Sequence, residues 1–261
     1  SFEERRHNRA KFPDYMDAMN VWGMSDVGRV RELNEDTFRI ARADDGITAL
    51  CVVCDGMGGA KAGNIASRMA ADEFLRVMQD GAYQTLPAKP LERLMRKAME
   101  GANRAIHRRA AEEPDCSGMG TTLVACVLHD AQATVLNVGD SRAYHIGAGG
   151  ITRVTRDHSL VEDMLRHGEI TELEAREHPS KNLITRAVGT DAEIDGDFYS
   201  IALGEGEFLL LCSDGLSNLV SEQEILYEVL YGDPAGAPAR LCEIANSRGG
   251  FDNITVVILT R

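Results

Sequence analysis

Four short apolar runs each carry an aspartate at one end, and this pattern constrains the fold more than any other feature of the chain. Ala49–Cys54 leads into Asp55-Gly56, Thr134–Val138 into Gly139-Asp140, and Phe208–Cys212 into Ser213-Asp214-Gly215, whereas Asp252-Asn253 precedes Ile254–Leu259. Apolar runs of this length, bounded by turn residues, read as buried strands. One aspartate beside glycine is only a turn signal. A turn needs a short polar side chain and not its charge, whereas a hard divalent cation needs several oxygen donors converging at one place. The reversed order in the last run also fits, because an antiparallel strand begins where its neighbours end. The four carboxylates therefore read as parts of one metal site.

A fifth segment, Gly28-Arg-Val-Arg-Glu-Leu-Asn-Glu-Asp36 ahead of Thr37-Phe-Arg-Ile40, places Glu35 and Asp36 shortly after Arg31. That spacing can set a guanidinium beside a metal-bound anion. Arginine presents a planar fork of donors that matches phosphate oxygens and stays charged at any working pH. Taken alone, the segment reads as a solvated charged turn.

In chain order, Arg31-x-x-Asn34-Glu35-Asp36, Val53-Cys-Asp55-Gly-Met-Gly-Gly59, Gly118-Met-Gly-Thr-Thr122, Asn137-Val-Gly-Asp-Ser-Arg142, Leu211-Cys-Ser-Asp-Gly215 and Asp252-Asn-Ile-Thr255 resemble the successive signatures of the metal-dependent protein phosphatases of type 2C, in their compact bacterial form. The resemblance runs from about Val21 to the C-terminus. It implies an α+β fold, a four-layer α-β-β-α sandwich with two central antiparallel β-sheets flanked by helices and a metal cleft at one end. It also implies a protein serine/threonine phosphatase that hydrolyses phosphoserine and phosphothreonine with a water bridging two Mn²⁺ or Mg²⁺ ions about 3.5–4 Å apart. By the same resemblance Asp55 bridges both ions, Asp214 and Asp252 complete one, and Glu35 with the backbone carbonyl of Gly56 completes the other. Asp140 with Asp214 matches the place of a third, weaker ion. Arg31 is expected to hold the phosphate and Asp36 to orient metal-bound waters. The chain departs from its relatives where they carry a histidine suited to protonate the leaving oxygen, having Met57 and Ala60 instead. The leaving-group acid therefore stays open between a metal-bound water, Lys61 and His158.

At 261 residues the chain is expected to hold one domain over 21–261, behind an extension of residues 1–20. Arg5, Arg6, Arg9 and Lys11 have no apolar core after them, so this extension does not read as a secretory signal. A chain that opens on Ser1 leaves room for further sequence around it. No apolar stretch approaches the roughly 18 residues of a membrane helix, so no membrane insertion is expected. A net charge of −13 argues against a nucleic-acid surface. Cys51 and Cys54, three apart in a strand run, point to opposite faces and read as buried, reduced thiols, which suggests the cytoplasm.

Helical spacing of Leu91, Met95, Ala98, Ala102 and Ile106 predicts a helix between Pro90 and Pro114, and a second is expected from about Asn64 to Gly81. Ser221-Glu-Gln-Glu224 is a capping box opening a helix that ends near Gly232, and Pro238 starts another that ends at Gly249. Gly147–Gly150 reads as a hairpin turn. The polar segment 157–180 carries His158, His167 and His178 and a second capping box, Thr171–Glu174. In the family this region is a mobile flap beside the cleft. The expected partners are a phosphorylated protein and a cognate Ser/Thr kinase, with the chain acting as a monomer. Two rivals are weighed. Against a catalytically silent phosphoprotein-binding module stands the full set Glu35, Asp55, Asp214 and Asp252; against a metal-dependent nuclease stand the acidic balance and the lack of a basic, aromatic stripe.

Overall fold

Side chains from Ala49 to Cys54 alternate between two cores. Leu50, Val52 and Cys54 pack with Phe74, Met78 and Met95, while Ala49, Cys51 and Val53 pack with Leu209, Leu211 and Val257. A strand covered on both faces has no solvent side, so the run is apolar at every position instead of every second one. This places Cys51 and Cys54 on opposite faces, both buried and free. The computed structural model describes residues 19–59 and 62–261. Most of the extension, Ala60 and Lys61 lie outside the described residues.

In chain order the elements are β1 (Asn20–Asp26), β2 (Asp36–Arg42), β3 (Thr48–Met57), α1 (Ala62–Asp80), α2 (Ala88–Glu112), β4 (Gly120–Thr121), β5 (Leu123–His129), β6 (Gln132–Val138), β7 (Arg142–Gly147) and β8 (Gly150–Arg153). There follow α3 (Leu160–Arg166), α4 (Glu172–Glu177), β9 (Asp197–Ala202), β10 (Phe208–Cys212), α5 (Asp214–Ser217), α6 (Glu222–Leu230), α7 (Ala237–Ser247) and β11 (Ile254–Thr260). One sheet has the order β1-β11-β10-β7-β8 and the other β2-β3-β5-β6-β9, with β4 paired to β3. All of these pairings are antiparallel. Helices α1 and α2 cover the second sheet, α6 and α7 the first, and a third core of Tyr144, Leu210, Ile225, Leu241 and Val256 lies under the latter pair. The result is the expected α-β-β-α sandwich.

Both capping boxes form, at Thr171 and Ser221, and Gly147 pairs with Gly150 across the expected hairpin. Helix α2 starts ahead of Pro90, at Ala88. Amides of a first helical turn have no intrahelical acceptor, so proline costs little there. Helix α7 stops at Ser247, short of Gly249. Elements that the sequence reading did not mark include α3, whose N-cap Ser159 accepts from the Glu162 amide at 3.3 Å, the strands β1 and β5, and the half-exposed edge strand β9. The polar segment also runs past residue 180, closing through bridges Ser159–Ile184 and Thr121–Val188. No described helix is long and apolar enough to cross a membrane.

Candidate metal centre

The register fixes where the aspartates meet. β3 continues through Asp55, which faces Asp36 across β2, while Gly56 pairs with Thr121. β10 and β11 run antiparallel with Cys212 opposite Val256, so Asp214 and Asp252 flank the same end. One cleft of about 270 Å³ results, lined by Arg31, Glu35, Asp55, Gly56, Met57, Thr122, Asp140, Asn182, Ile184, Asp214 and Asp252. Every expected ligand lies there, together with Arg31.

Hydrogen bonds from other elements hold each wall. The Asp55 amide donates to Thr122 Oγ1 at 2.9 Å, and Thr122 Oγ1 lies 2.7 Å from Ser141 Oγ in the Asp140 turn. The Gly56 amide donates to the Glu35 carbonyl at 3.1 Å. A Cβ at Gly56 would stand 2.0 Å from the Gly63 carbonyl oxygen, so only glycine lets this strand meet the start of α1. The Glu35 amide donates to Asn253 Oδ1 at 2.8 Å, while Asn253 Nδ2 donates to the carbonyls of Val27 (2.9 Å) and Leu33 (3.0 Å). Asp252 accepts from the Asn253 amide at 2.9 Å and from Arg31 Nη2 at 3.1 Å.

These carboxylates are held together against their charge. Burial raises the pKa of Asp55, and Asp36, Asp214, Asp140 and Asp252 raise it further. Burial and then Asp214 do the same to Asp140, and burial and then Asp252 to Asp214. Glu35 is also raised by burial, with Arg31 opposing. Glu35 Oε1 and Asp214 Oδ1 are buried with no hydrogen-bond partner. An all-oxygen donor set with buried, unpaired oxygens fits a hard cation such as Mg²⁺ or Mn²⁺. Among the described residues no three His, Cys, Asp or Glu side chains already stand grouped around one point as a finished site. The donors line the walls of the cleft, and Arg31 spans to Asp252.

Asp36 does not line the cleft. Its Oδ2 accepts from Ser213 Oγ and Thr255 Oγ1, both at 2.7 Å, and burial pushes its pKa up to about 7 against the pull of those hydroxyls. It stands opposite Asp55 in the sheet as a buried support, with its Oδ1 unpaired. His158 is also absent from the cleft lining: Nδ1 accepts from the Gly139 amide at 3.0 Å and Nε2 meets Asp197 Oδ2 at 2.9 Å. Both ring nitrogens are engaged away from the cleft lining. Met57 lines the cleft as its position implies. Thr122, Asn253, Ser213 and Thr255 were inside recognised motifs without an assigned role; the signal was a polar residue at the edge of an apolar run. Asn182 and Ile184 had no local signal, because they arrive from a distant segment.

A larger cavity of about 720 Å³ lies between α2, β9 and the chain after β8, lined by Arg96, Arg153, Arg156, Glu162, Asp197 and Phe198 among others. Arg96 pairs with Asp195 at 2.7 Å and Arg153 with Glu162 at 3.0 Å, so its charges are largely satisfied internally. The smaller cleft, in contrast, is lined by the unpaired oxygens of Glu35 and Asp214.

The model of the family described as protein phosphatase 2C matches residues 28–232. The serine/threonine phosphatase stp of Listeria monocytogenes is 39% identical over 242 residues, covering 91% of this chain and 94% of that protein. The crystal structure of the serine/threonine phosphatase Stp1 from Staphylococcus aureus superposes with a TM-score of 0.86 at 32% identity, covering 96% of this chain and 99% of the other. The catalytic domain of the serine/threonine protein phosphatase PstP, solved in complex with two manganese ions, superposes with a TM-score of 0.80 at 34% identity, covering 93% and 97%. With its sandwich, its acidic cleft and this extent of similarity, the chain belongs to the protein phosphatase 2C family.

Proposed function

We infer that this cleft hydrolyses phosphoserine and phosphothreonine monoesters of proteins with two divalent cations, Mn²⁺ or Mg²⁺. The chain is a protein serine/threonine phosphatase by family, so its substrates are phosphoproteins. The observation that carries the site reading is the crowding of Glu35, Asp55, Asp140, Asp214 and Asp252 around one small cleft with a single guanidinium, Arg31, in its wall. A phosphomonoester carries nearly two negative charges at neutral pH. Such a group would be repelled by these walls unless cations offset them, which is why the metal is integral to the reading.

In this reading Asp55 would contribute to holding both ions, Asp214 and Asp252 would hold one, and Glu35 with the Gly56 carbonyl would hold the other. Asp140 with Asp214 offers a third, weaker position. Bound divalent ions neutralise phosphate charge and lower the pKa of the attacking water. Arg31 binds the phosphate through its fork of donors, exchanging its contact with Asp252 for the substrate oxygens. Asp36 keeps Ser213 and Thr255 locked beneath the ligands. Asn182 and Ile184 complete the cleft wall from the segment after α4.

The reading extends to a cognate Ser/Thr kinase that makes the substrate, a monomeric enzyme, and a cytoplasmic setting, the last supported by six buried, unpaired cysteines. The silent binding module is not favoured, since the donor set is complete and the relatives are phosphatases. The test is Mn²⁺-dependent phosphate release from a phosphothreonine peptide, with Asp55→Asn as the paired variant. Loss of release in that variant supports the reading; metal-independent release, or full activity in the variant, refutes it.

A further inference from the structure

We propose that His158 is a positioning residue that sets the Asp140 carboxylate in the cleft by clamping the Gly139–Asp140 turn, an assignment that rests on the metal-dependent reading of the site. The turn between β6 and β7 needs an external clamp. Gly139 adopts φ 108°, in the left-handed region, and a Cβ there would come within 2.7 Å of the Thr122 side chain. Glycine is thus required where stiffness is also wanted.

His158 grips the glycine at both of its backbone polar groups. Its own amide donates to the Gly139 carbonyl at 2.9 Å, and its Nδ1 accepts from the Gly139 amide at 3.0 Å. An amide can only donate, so Nδ1 presents its lone pair and the ring hydrogen sits on Nε2. That hydrogen is donated to Asp197 Oδ2 at 2.9 Å, and the other oxygen of Asp197 receives Arg186 Nη1 at 3.4 Å. A carboxylate on the first residue of β9 thereby fixes the tautomer of a ring that orients a loop of the cleft, the arrangement expected of groups that sit behind metal ligands. His158 is 6% exposed and does not line the cleft, so it acts through Gly139 and not by touching substrate. Its carbonyl accepts from the Thr185 amide at 2.8 Å, which ties the wall containing Ile184 to the same clamp.

The test is a double-mutant cycle read by Mn²⁺ calorimetry on the metal-stripped full chain. Asp140→Asn defines the part of Mn²⁺ affinity that depends on Asp140. His158→Gln moves the polar group toward Asp197 and leaves the Gly139 amide unmatched; His158→Asn keeps an acceptor where Nδ1 was. His158→Gln is expected to weaken the Asp140-dependent binding about tenfold, to add nothing on the Asp140→Asn background, and to lower kcat on phosphothreonine peptide more than it raises KM. His158→Asn should retain most of that affinity. Independently of any variant, the ¹⁵N spectrum of the wild-type imidazole should show the Nε2–H form, with scalar coupling from Nδ1 to the Gly139 amide nitrogen. An Nδ1–H form, a Gln variant that binds like wild type, or fully additive effects would overturn the proposal. A wild type that neither binds Mn²⁺ nor releases phosphate would instead sink the phosphatase reading, with the clamp still decided by the imidazole spectrum.

Discussion

Replacing Asn253 by alanine tests how the Glu35 wall is held. The side chain makes hydrogen bonds of 2.8, 2.9 and 3.0 Å to Glu35, Val27 and Leu33, residues more than 200 positions away in sequence. It is 3% exposed, so water cannot readily replace the lost amide. At a net of about 1 kcal/mol per bond, and more where a buried group is left unpaired, Asn253→Ala should cost about 3–5 kcal/mol. The lower end corresponds to a fall in Tm of roughly 6–12 °C for a domain of this size. Because the freed segment carries Glu35, Mn²⁺ affinity measured by calorimetry well below either midpoint should fall as well. Ser221→Ala is the control: it removes the N-cap of α6 at about 1 kcal/mol and leaves Mn²⁺ binding unchanged. A loss in Asn253→Ala of less than about 1 kcal/mol, with wild-type Mn²⁺ affinity, would show that packing and not this amide holds the segment.

Three further outcomes can be checked with the same preparations. Gly56→Ala puts a Cβ against the Gly63 and Glu35 backbone, at 2.0 and 2.8 Å from their carbonyl oxygens; urea denaturation should show a large loss, and any folded fraction should bind Mn²⁺ poorly. Glu224 accepts from Arg248 and from the Ser221 amide and hydroxyl, which lower its pKa to about 2. A carboxylate depressed on folding contributes stability above its unfolded pKa, and that contribution fades as pH falls from about 4.5 toward 2; Glu224→Gln should therefore lose its destabilising effect over that window. Leu211→Ala opens a cavity between the two sheets, and chemical denaturation should register about 2–5 kcal/mol.

What could be read from the sequence followed from what a doubly covered strand looks like. The runs at 49–54, 134–138, 208–212 and 254–259 are almost wholly apolar, broken only by Thr134, Asn137 and Thr255, because each is buried on both faces, so the strands stood out. Their aspartates were legible because a charge at the edge of such a run has to be explained. Strand β9 was not legible, since its exposed edge position leaves Asp197 and Ser200 among its apolar residues. Asp36 was legible as part of the motif, but not that its Oδ2 is taken by Ser213 and Thr255, which come from the distant ends of β10 and β11. His158 looked like a candidate acid because composition cannot reveal that both ring nitrogens are taken. Asn182 reaches the cleft only through the Ser159–Ile184 bridge, which no local pattern encodes.

The same cleft predicts how the fold responds to metal. Two unit charges 4 Å apart repel by about 4 kcal/mol at an effective dielectric constant of 20. Neighbouring carboxylates add to burial in raising the pKa of Asp55, Asp140 and Asp214, and Asp36 stands directly opposite Asp55 in the sheet, so the crowded charges oppose the folding of their own scaffold. Tethers from backbone amides to the side chains of Thr122, Asn253 and Ser213 keep the walls in place against that repulsion. A cation binding only the folded chain should stabilise it by about 2.7 kcal/mol at a hundredfold excess over its Kd. Differential scanning calorimetry across an Mn²⁺ series should show Tm rising with log concentration, and Asp55→Asn should start from a higher metal-free Tm and gain less. If Tm were flat in Mn²⁺ and Asp55→Asn no more stable than wild type without metal, the clustered carboxylates would not be a cation site held against repulsion.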